Sequence, residues 1–176
     1  MKTEVKGRKL ARHFELLDFD GDGFIEQADI RMFAQRICEA AGVEPSSRES
    51  QKVLKEGDKL WHALQDSLDH DGDQRVSRQE FIGLAESDSV MAQAIQLGMA
   101  AFDVIDIDGD GRISRDEWTT LDKRIGVPAA DSREGFSRLD IDMDGFVTRA
   151  EFAKGVEEFY RSSDVAAPGN LAFGKF

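Results

Sequence analysis

Asp18, Asp20 and Asp22 alternate along the chain, and Asp29 closes the same twelve-residue stretch, DFDGDGFIEQAD. Calcium, a hard cation, takes about six to eight oxygen ligands, and a loop of this length can supply them from its first, third, fifth, seventh, ninth and twelfth residues. The chemistry on offer is therefore capture of a divalent ion. The pattern recurs three more times without a gap, as DHDGDQRVSRQE at 69–80, DIDGDGRISRDE at 106–117 and DIDMDGFVTRAE at 140–151.

Loop three is a full match: Asp106, Asp108, Asp110 and Glu117 supply side-chain oxygens, Arg112 its carbonyl, and Ser114 a hydroxyl or a bridging water, while Gly111 permits the sharp turn. Loop four repeats it with Asp140, Asp142, Asp144, the carbonyl of Phe146, Thr148, Glu151 and a turning Gly145. Loop one offers Asp18, Asp20, Asp22 and the carbonyl of Phe24 but ends on Asp29, one methylene short of glutamate. A shorter carboxylate reaches the ion through one oxygen, which favours magnesium's octahedral shell, with Glu26 at the ninth position as a substitute donor. Loop two keeps Asp69, Asp71, Asp73, the carbonyl of Arg75 and Glu80 but has Gln74 where glycine is wanted. A left-handed backbone there costs roughly 1 to 2 kcal/mol, about a five- to thirtyfold loss of affinity, so loop two should fill last. Three to four calcium ions are expected, with magnesium as the alternative occupant of loop one.

Something must hold each loop in shape, and apolar residues at helical spacing flank every copy. Leu10, Phe14 and Leu17 precede the first, Trp61, Leu64 and Leu68 the second, Phe102 and Ile105 the third, Phe136 and Leu139 the fourth. Ile30 with Phe33, Phe81 with Leu84, Trp118 with Leu121, and Phe152 with Val156 continue the period after each loop. Gly42 with Pro45, and Gly126 with Pro128, end the helices leaving loops one and three. Ser46 with Glu49 reads as a capping box that opens the long helix toward Trp61, and Ser77–Glu80, Ser114–Glu117 and Thr148–Glu151 have the same spacing at the loop ends.

Gaps of 39, 25 and 22 residues separate successive loops, which pairs one with two and three with four. Ile25, Val76, Ile113 and Val147, at the eighth loop position, can then form short antiparallel ladders. The expected fold is all-α: two paired helix-loop-helix units in a compact globule, with residues 1–87 and 88–162 as the two pairs. A tail, 163–176, carries Leu171, Ala172, Phe173 and Phe176 either frayed or folded back as an apolar plug.

Composition agrees. The net charge is −12, and 18 of the 35 acidic residues fall within the four loops. Nucleic acid and anionic membrane would be repelled, leaving cations as the natural partners. Four divalent ions would bring −12 to −4, and without them the converging carboxylates repel, so binding and folding are linked. Cys38 is the only cysteine, which forbids an intrachain disulfide and points to a reducing, cytoplasmic setting. The stretch MKTEVKGRKLARHF lacks the apolar run of a secretory signal, and no run approaches membrane-spanning length.

The four loops, the long first gap and the ending at Asp29 resemble the EF-hand proteins of the calerythrin and sarcoplasmic calcium-binding family, over nearly the whole chain. That resemblance implies a monomeric cytosolic buffer or transporter of calcium with its two pairs packed face to face. In that family one loop, commonly the second, has often lost its ligands; here Asp69, Asp71, Asp73 and Glu80 are retained.

The alternative is a calcium sensor that exposes an apolar groove to a protein partner. Such grooves are rich in methionine, whereas Met1, Met32, Met91, Met99 and Met143 are scattered, and Phe14, Phe33, Phe81, Phe102, Phe136 and Phe152 suggest a stiff aromatic core. The expected fold also resembles that of calcium-triggered photoproteins, whose internal cavity is lined by several His, Trp and Tyr residues; Trp61, Trp118 and Tyr160 are few by comparison. No catalysis is expected, because His13, His62 and His70 accompany no nucleophile and Cys38 reads as a small buried hydrophobe.

Overall fold

Burying the apolar stripes on both sides of each loop brings the flanking helices onto one shared core. The computed structural model describes residues 2–171 and 173, so Ala172 and Phe176 of the expected plug lie outside the described residues. Eight helices occur among those described: α1 Lys2–Leu17, α2 Gln27–Ala40, α3 Arg48–Leu68, α4 Arg78–Ile82, α5 Asp88–Ile105, α6 Arg115–Ile125, α7 Ala129–Leu139 and α8 Arg149–Arg161. None is long and apolar enough to cross a membrane.

Four short strands, β1 Phe24–Ile25, β2 Val76–Ser77, β3 Arg112–Ser114 and β4 Phe146–Thr148, lie between entering and exiting helices. Ile25 faces Val76 and Ile113 faces Val147 across antiparallel ladders, in the pairing that the loop gaps predict. All four of these side chains are fully buried, so each ladder anchors its loops to the core.

The exit from loop two is cut short. Gly83–Glu86 forms a 3₁₀ turn after the five residues of α4, and α5 then runs eighteen residues into loop three. Ser47, not Ser46, caps α3: its hydroxyl accepts from Ser50 N at 3.0 Å. The expected box does not form, because Ser50 rather than a glutamate stands three residues after Ser47, and Ser47 N bonds back to Glu44 O in the preceding turn. Gly42 and Gly126, both with positive φ, terminate α2 and α6 as expected.

The halves are interleaved. Helix α3 packs along α5, α2 against α6, and α8 against both α5 and α1. One cluster of buried side chains runs from Leu10 through Trp61, Phe102 and Trp118 to Tyr160.

Lys9 is fully buried. Its Nζ donates to Glu158 O at 3.2 Å, Ser162 O at 2.8 Å and Asn170 Oδ1 at 2.9 Å. Both backbone carbonyls lie at the carboxyl end of α8, its negative pole, and Glu158 O also accepts the last helical bond from Ser162 N at 2.9 Å. Asn170 in turn donates to Asp164 O and Val165 O, so one ammonium ties α1, α8 and residues 164–171 together. Burial, with Lys6 nearby, lowers the Lys9 pKa to about 8 against the pull of Glu158, leaving it mostly charged at neutral pH.

Gly169 lets this segment sit directly on α8, where a Cβ would lie 2.1 Å from Gly155 O. Beyond it, Phe173 stacks on the buried His13 ring at 4.4 Å and 14°.

Asp122 of α6 is 2% exposed, beside Ser132 of α7 and the Trp118 indole. Neither the Ser132 hydroxyl nor the Trp118 N–H reaches good hydrogen-bond geometry, so their pull on the carboxyl is partial. Burial consequently raises its pKa from 3.8 to about 7. Between those values the folded chain holds a proton that the unfolded chain has released, so stability present below about pH 4 is lost as the pH rises through about 7. Asp122→Asn should equal the parent at pH 4 and exceed it at pH 8 by about 2 to 4 kcal/mol. Urea unfolding at the two pH values tests this; a difference independent of pH would contradict it.

Candidate metal centres

The four loops share one hydrogen-bond plan. The fifth residue's N–H donates to the third residue's Oδ1 at 3.1–3.2 Å, and the seventh residue's N–H to the fifth residue's Oδ1 at 2.9 Å. The sixth N–H donates to the first residue's Oδ2 at 2.9–3.1 Å. The loops are thus shaped by hydrogen bonds to their own carboxylates.

Converging oxygens within 4.8 Å of one another come from Asp18, Asp20 and Asp22; from Asp69, Asp71 and Asp73; from Asp106, Asp108 and Glu117; and from Asp140, Asp142 and Glu151. Asp29, Glu80, Asp110 and Asp144 complete the sequence-predicted sets and lie in the same loops. Phe24, Arg112 and Phe146 sit in the ladder strands, and Arg75 immediately before β2.

The first residue's second oxygen tests whether a cation fits. Asp18 Oδ1, Asp106 Oδ1 and Asp140 Oδ1 are buried with no hydrogen-bond partner. Three buried anionic oxygens without donors are costly unless a cation completes them. A hard divalent ion fits these donors. Loop two differs, because Asp69 Oδ1 accepts from Gly72 N at 2.8 Å. An ion there must displace a bond that the other loops leave open.

The twelfth residue closes each loop by bridging two backbone donors. Glu80 accepts from His70 N and Ser77 N, Glu117 from Ile107 N and Ser114 N, and Glu151 from Ile141 N and Thr148 N, all at 2.7–3.0 Å. Asp29 spans the equivalent pair, Phe19 N at 3.2 Å and Glu26 N at 2.8 Å, despite its missing methylene. It does so from a buried position, and desolvation pushes its carboxyl above the ordinary range against the pull of those two N–H groups. Burial alone would raise Glu80 and Glu151 too, but their backbone and hydroxyl donors outweigh it and hold both below the usual range. Ser77, Ser114 and Thr148 bond this carboxylate through their hydroxyls at 2.7 Å while capping the exiting helix.

Gln74 adopts φ +65°, the left-handed backbone that its position predicts. Met143 does the same at +60°, where loops one to three place Gly21, Gly72 and Gly109. Loop four, a full match by its ligands, thus carries strain at its fourth residue; the signal was the absence of a glycine in that column.

His13 lies among Phe81, Phe159, Tyr160 and Phe173, and burial pushes its pKa down to about 3. His62 and His70 are exposed, and Cys38 is buried. The internal void beside His13, Trp118 and Tyr160 is about 60 Å³, against roughly 300 to 1,000 Å³ for a small-molecule pocket.

A family model described as an EF-hand domain pair matches residues 8–86 and 96–161. Calerythrin of Saccharopolyspora erythraea is 30% identical over 87 residues, which is 49% of each chain, so the match spans about half that relative's length. The solved structure of a Streptomyces coelicolor calcium-binding protein, described in terms of prokaryotic calcium-mediated regulation, superposes with a TM-score of 0.77 at 30% identity, covering 88% of this chain and 97% of its own. The coelenterazine-binding protein of Renilla muelleri, calcium-loaded without its ligand, shares the fold with a TM-score of 0.69 at 24% identity, covering 99% and 98% of the two chains.

Proposed function

We propose that this chain, which belongs to the EF-hand domain-pair family, is an intracellular calcium buffer whose ions sit in the four acidic loops. The ligands are Asp18, Asp20, Asp22, the Phe24 carbonyl and Asp29 in loop one, and Asp69, Asp71, Asp73, the Arg75 carbonyl and Glu80 in loop two. Asp106, Asp108, Asp110, the Arg112 carbonyl and Glu117 serve loop three, and Asp140, Asp142, Asp144, the Phe146 carbonyl and Glu151 loop four. Calcium supplies no chemistry beyond charge and coordination; the protein supplies oxygen spacing and a loop that closes.

One observation carries the buffer reading. The apolar faces of the exiting helices are already packed away, α2 against the exiting helix α6 and α8 against α5, which enters loop three. A sensor must part such faces to present a groove, and here that would break the shared core. The second reading, a calcium sensor that exposes a groove to a protein partner, is favoured by the similarity to the Streptomyces coelicolor protein of calcium-mediated regulation.

Titration of metal-free protein with calcium on a magnesium background, with a hydrophobic dye present, separates the two. The buffer reading expects uptake without a rise in dye fluorescence; a strong calcium-dependent rise would favour the sensor. Loop two is expected to be weakest, since both Gln74 and the occupied Asp69 Oδ1 oppose the ion, and Gln74→Gly should tighten it about fivefold. Loop one should discriminate least between calcium and magnesium.

A further inference from the structure

The seventh residue of each loop was expected to contribute only its carbonyl. In both loop pairs its side chain also crosses to the partner. The Arg75 guanidinium of loop two lies 3.9 Å from the ring centre of Phe24 in loop one, and Arg112 of loop three lies 4.0 Å from that of Phe146 in loop four. Phe24, Arg75, Arg112 and Phe146 all occupy the seventh position, so the same arginine-on-phenylalanine contact is built twice in one chain.

Each guanidinium is held from the other side by a fifth-position carboxylate. Arg75 pairs with Asp73 Oδ2 at 3.1 Å and Arg112 with Asp110 Oδ2 at 2.9 Å. Arg112 extends further, reaching Asp144 Oδ2 of the partner loop at 3.9 Å. Asp110 and Asp144 are also the two carboxylates that stand outside the converging groups of loops three and four.

We propose that Arg75 and Arg112 are latches that couple ion binding between paired loops, the coupling being stronger in the pair three–four. This rests on the reading of the loops as calcium sites. With the loops empty, the guanidinium offsets repulsion between carboxylates and holds the stacked ring. With loop three filled, Arg112 would be held through its carbonyl, which would keep its guanidinium over Phe146 and order the carbonyl that loop four offers. Ordering done by the first ion need not be repeated for the second.

The test measures loop-four calcium affinity with loop three intact or silenced by Glu117→Gln, in the full chain and in Arg112→Met, Arg112→Lys and Phe146→Leu backgrounds. The loop-three effect on loop four should fall about two- to fivefold in Arg112→Met and Phe146→Leu, while Arg112→Lys retains charge but not the planar stack and loses a similar share. A readout without metal accompanies it: in chelator, Arg112→Met should melt lower than the parent at low salt, with the gap closing at high salt. Unchanged coupling in both Arg112→Met and Phe146→Leu overturns the proposal, as does an equal loss of both loops' affinities with the coupling intact, which is packing damage alone. Parent protein that takes up no calcium in the same titration overturns both this proposal and the buffer reading; parent uptake with intact coupling in the variants overturns the latch only.

Discussion

Chelating its divalent ions should lower the protein's thermal midpoint by about 15 to 30 °C. Each site filled at about a thousandfold above its dissociation constant stabilises the folded state by about 4 kcal/mol, and in a chain of this size about 1 kcal/mol moves the midpoint by about 2 to 4 °C. Two such sites give the stated range, with loops three and four the tightest pair. The driving force is visible in the loops themselves. Three or more carboxylates converge within 4.8 Å in each, and the inner oxygens of Asp18, Asp106 and Asp140 have no donor to share. Without a cation those charges repel in the folded state and relax on unfolding, so the whole gain appears as stability. Calorimetric melts in chelator and in millimolar calcium measure it, and a shift of only about 3 °C would leave no room for two tight sites.

Lys9→Met comes second in size. Methionine keeps much of the unbranched stem and removes the ammonium, so the loss isolates three hydrogen bonds to Glu158 O, Ser162 O and Asn170 Oδ1. Bonds from a charged donor contribute about 1.5 to 3 kcal/mol each, but removal also spares the burial of a charge, so a net loss of about 2 to 4 kcal/mol is expected. That corresponds to roughly 5 to 15 °C. The side chain is fully buried, so neither water nor another donor can replace it. Hydrogen exchange should rise first at the end of α8 and across residues 164–171, since Lys9 satisfies carbonyls in that region. A variant melting within about 1 °C of the parent would show that the ammonium merely breaks even with its desolvation.

Lys9 was not picked out from sequence, and the tail was left between a frayed end and an apolar plug, although part of the signal was there. Val5, Lys9, His13 and Leu16 fall on one helical stripe, and all four are buried. A lysine on that stripe reads as a stem along the surface until its acceptors are known. Those acceptors lie 149 to 161 residues away in the chain, beyond the reach of any local pattern. Gly169 and Gly155 are similarly silent: only the packing of the tail on α8 shows that Gly169 has no room for a side chain, and only the packing of Leu139 on α8 shows the same for Gly155.

Loop ligation was legible for the opposite reason. Twelve consecutive residues contain the turn, the oxygens and the start of the exiting helix, so Asp18 to Asp29 and its three repeats specify their geometry locally, down to the left-handed Gln74. Even the ladder partners followed, because loops one and two, and three and four, are consecutive in the chain and pair off in that order. What only the tertiary structure decided is the environment of those ligands. It closes Asp69 Oδ1 with a backbone donor while leaving Asp18, Asp106 and Asp140 open, sets Arg75 and Arg112 across their partner loops, and buries Asp122 and Lys9. Coordination number depends on which side chains a loop contains, whereas strength and coupling depend on desolvation and on contacts between distant segments, which exist only once the chain has folded.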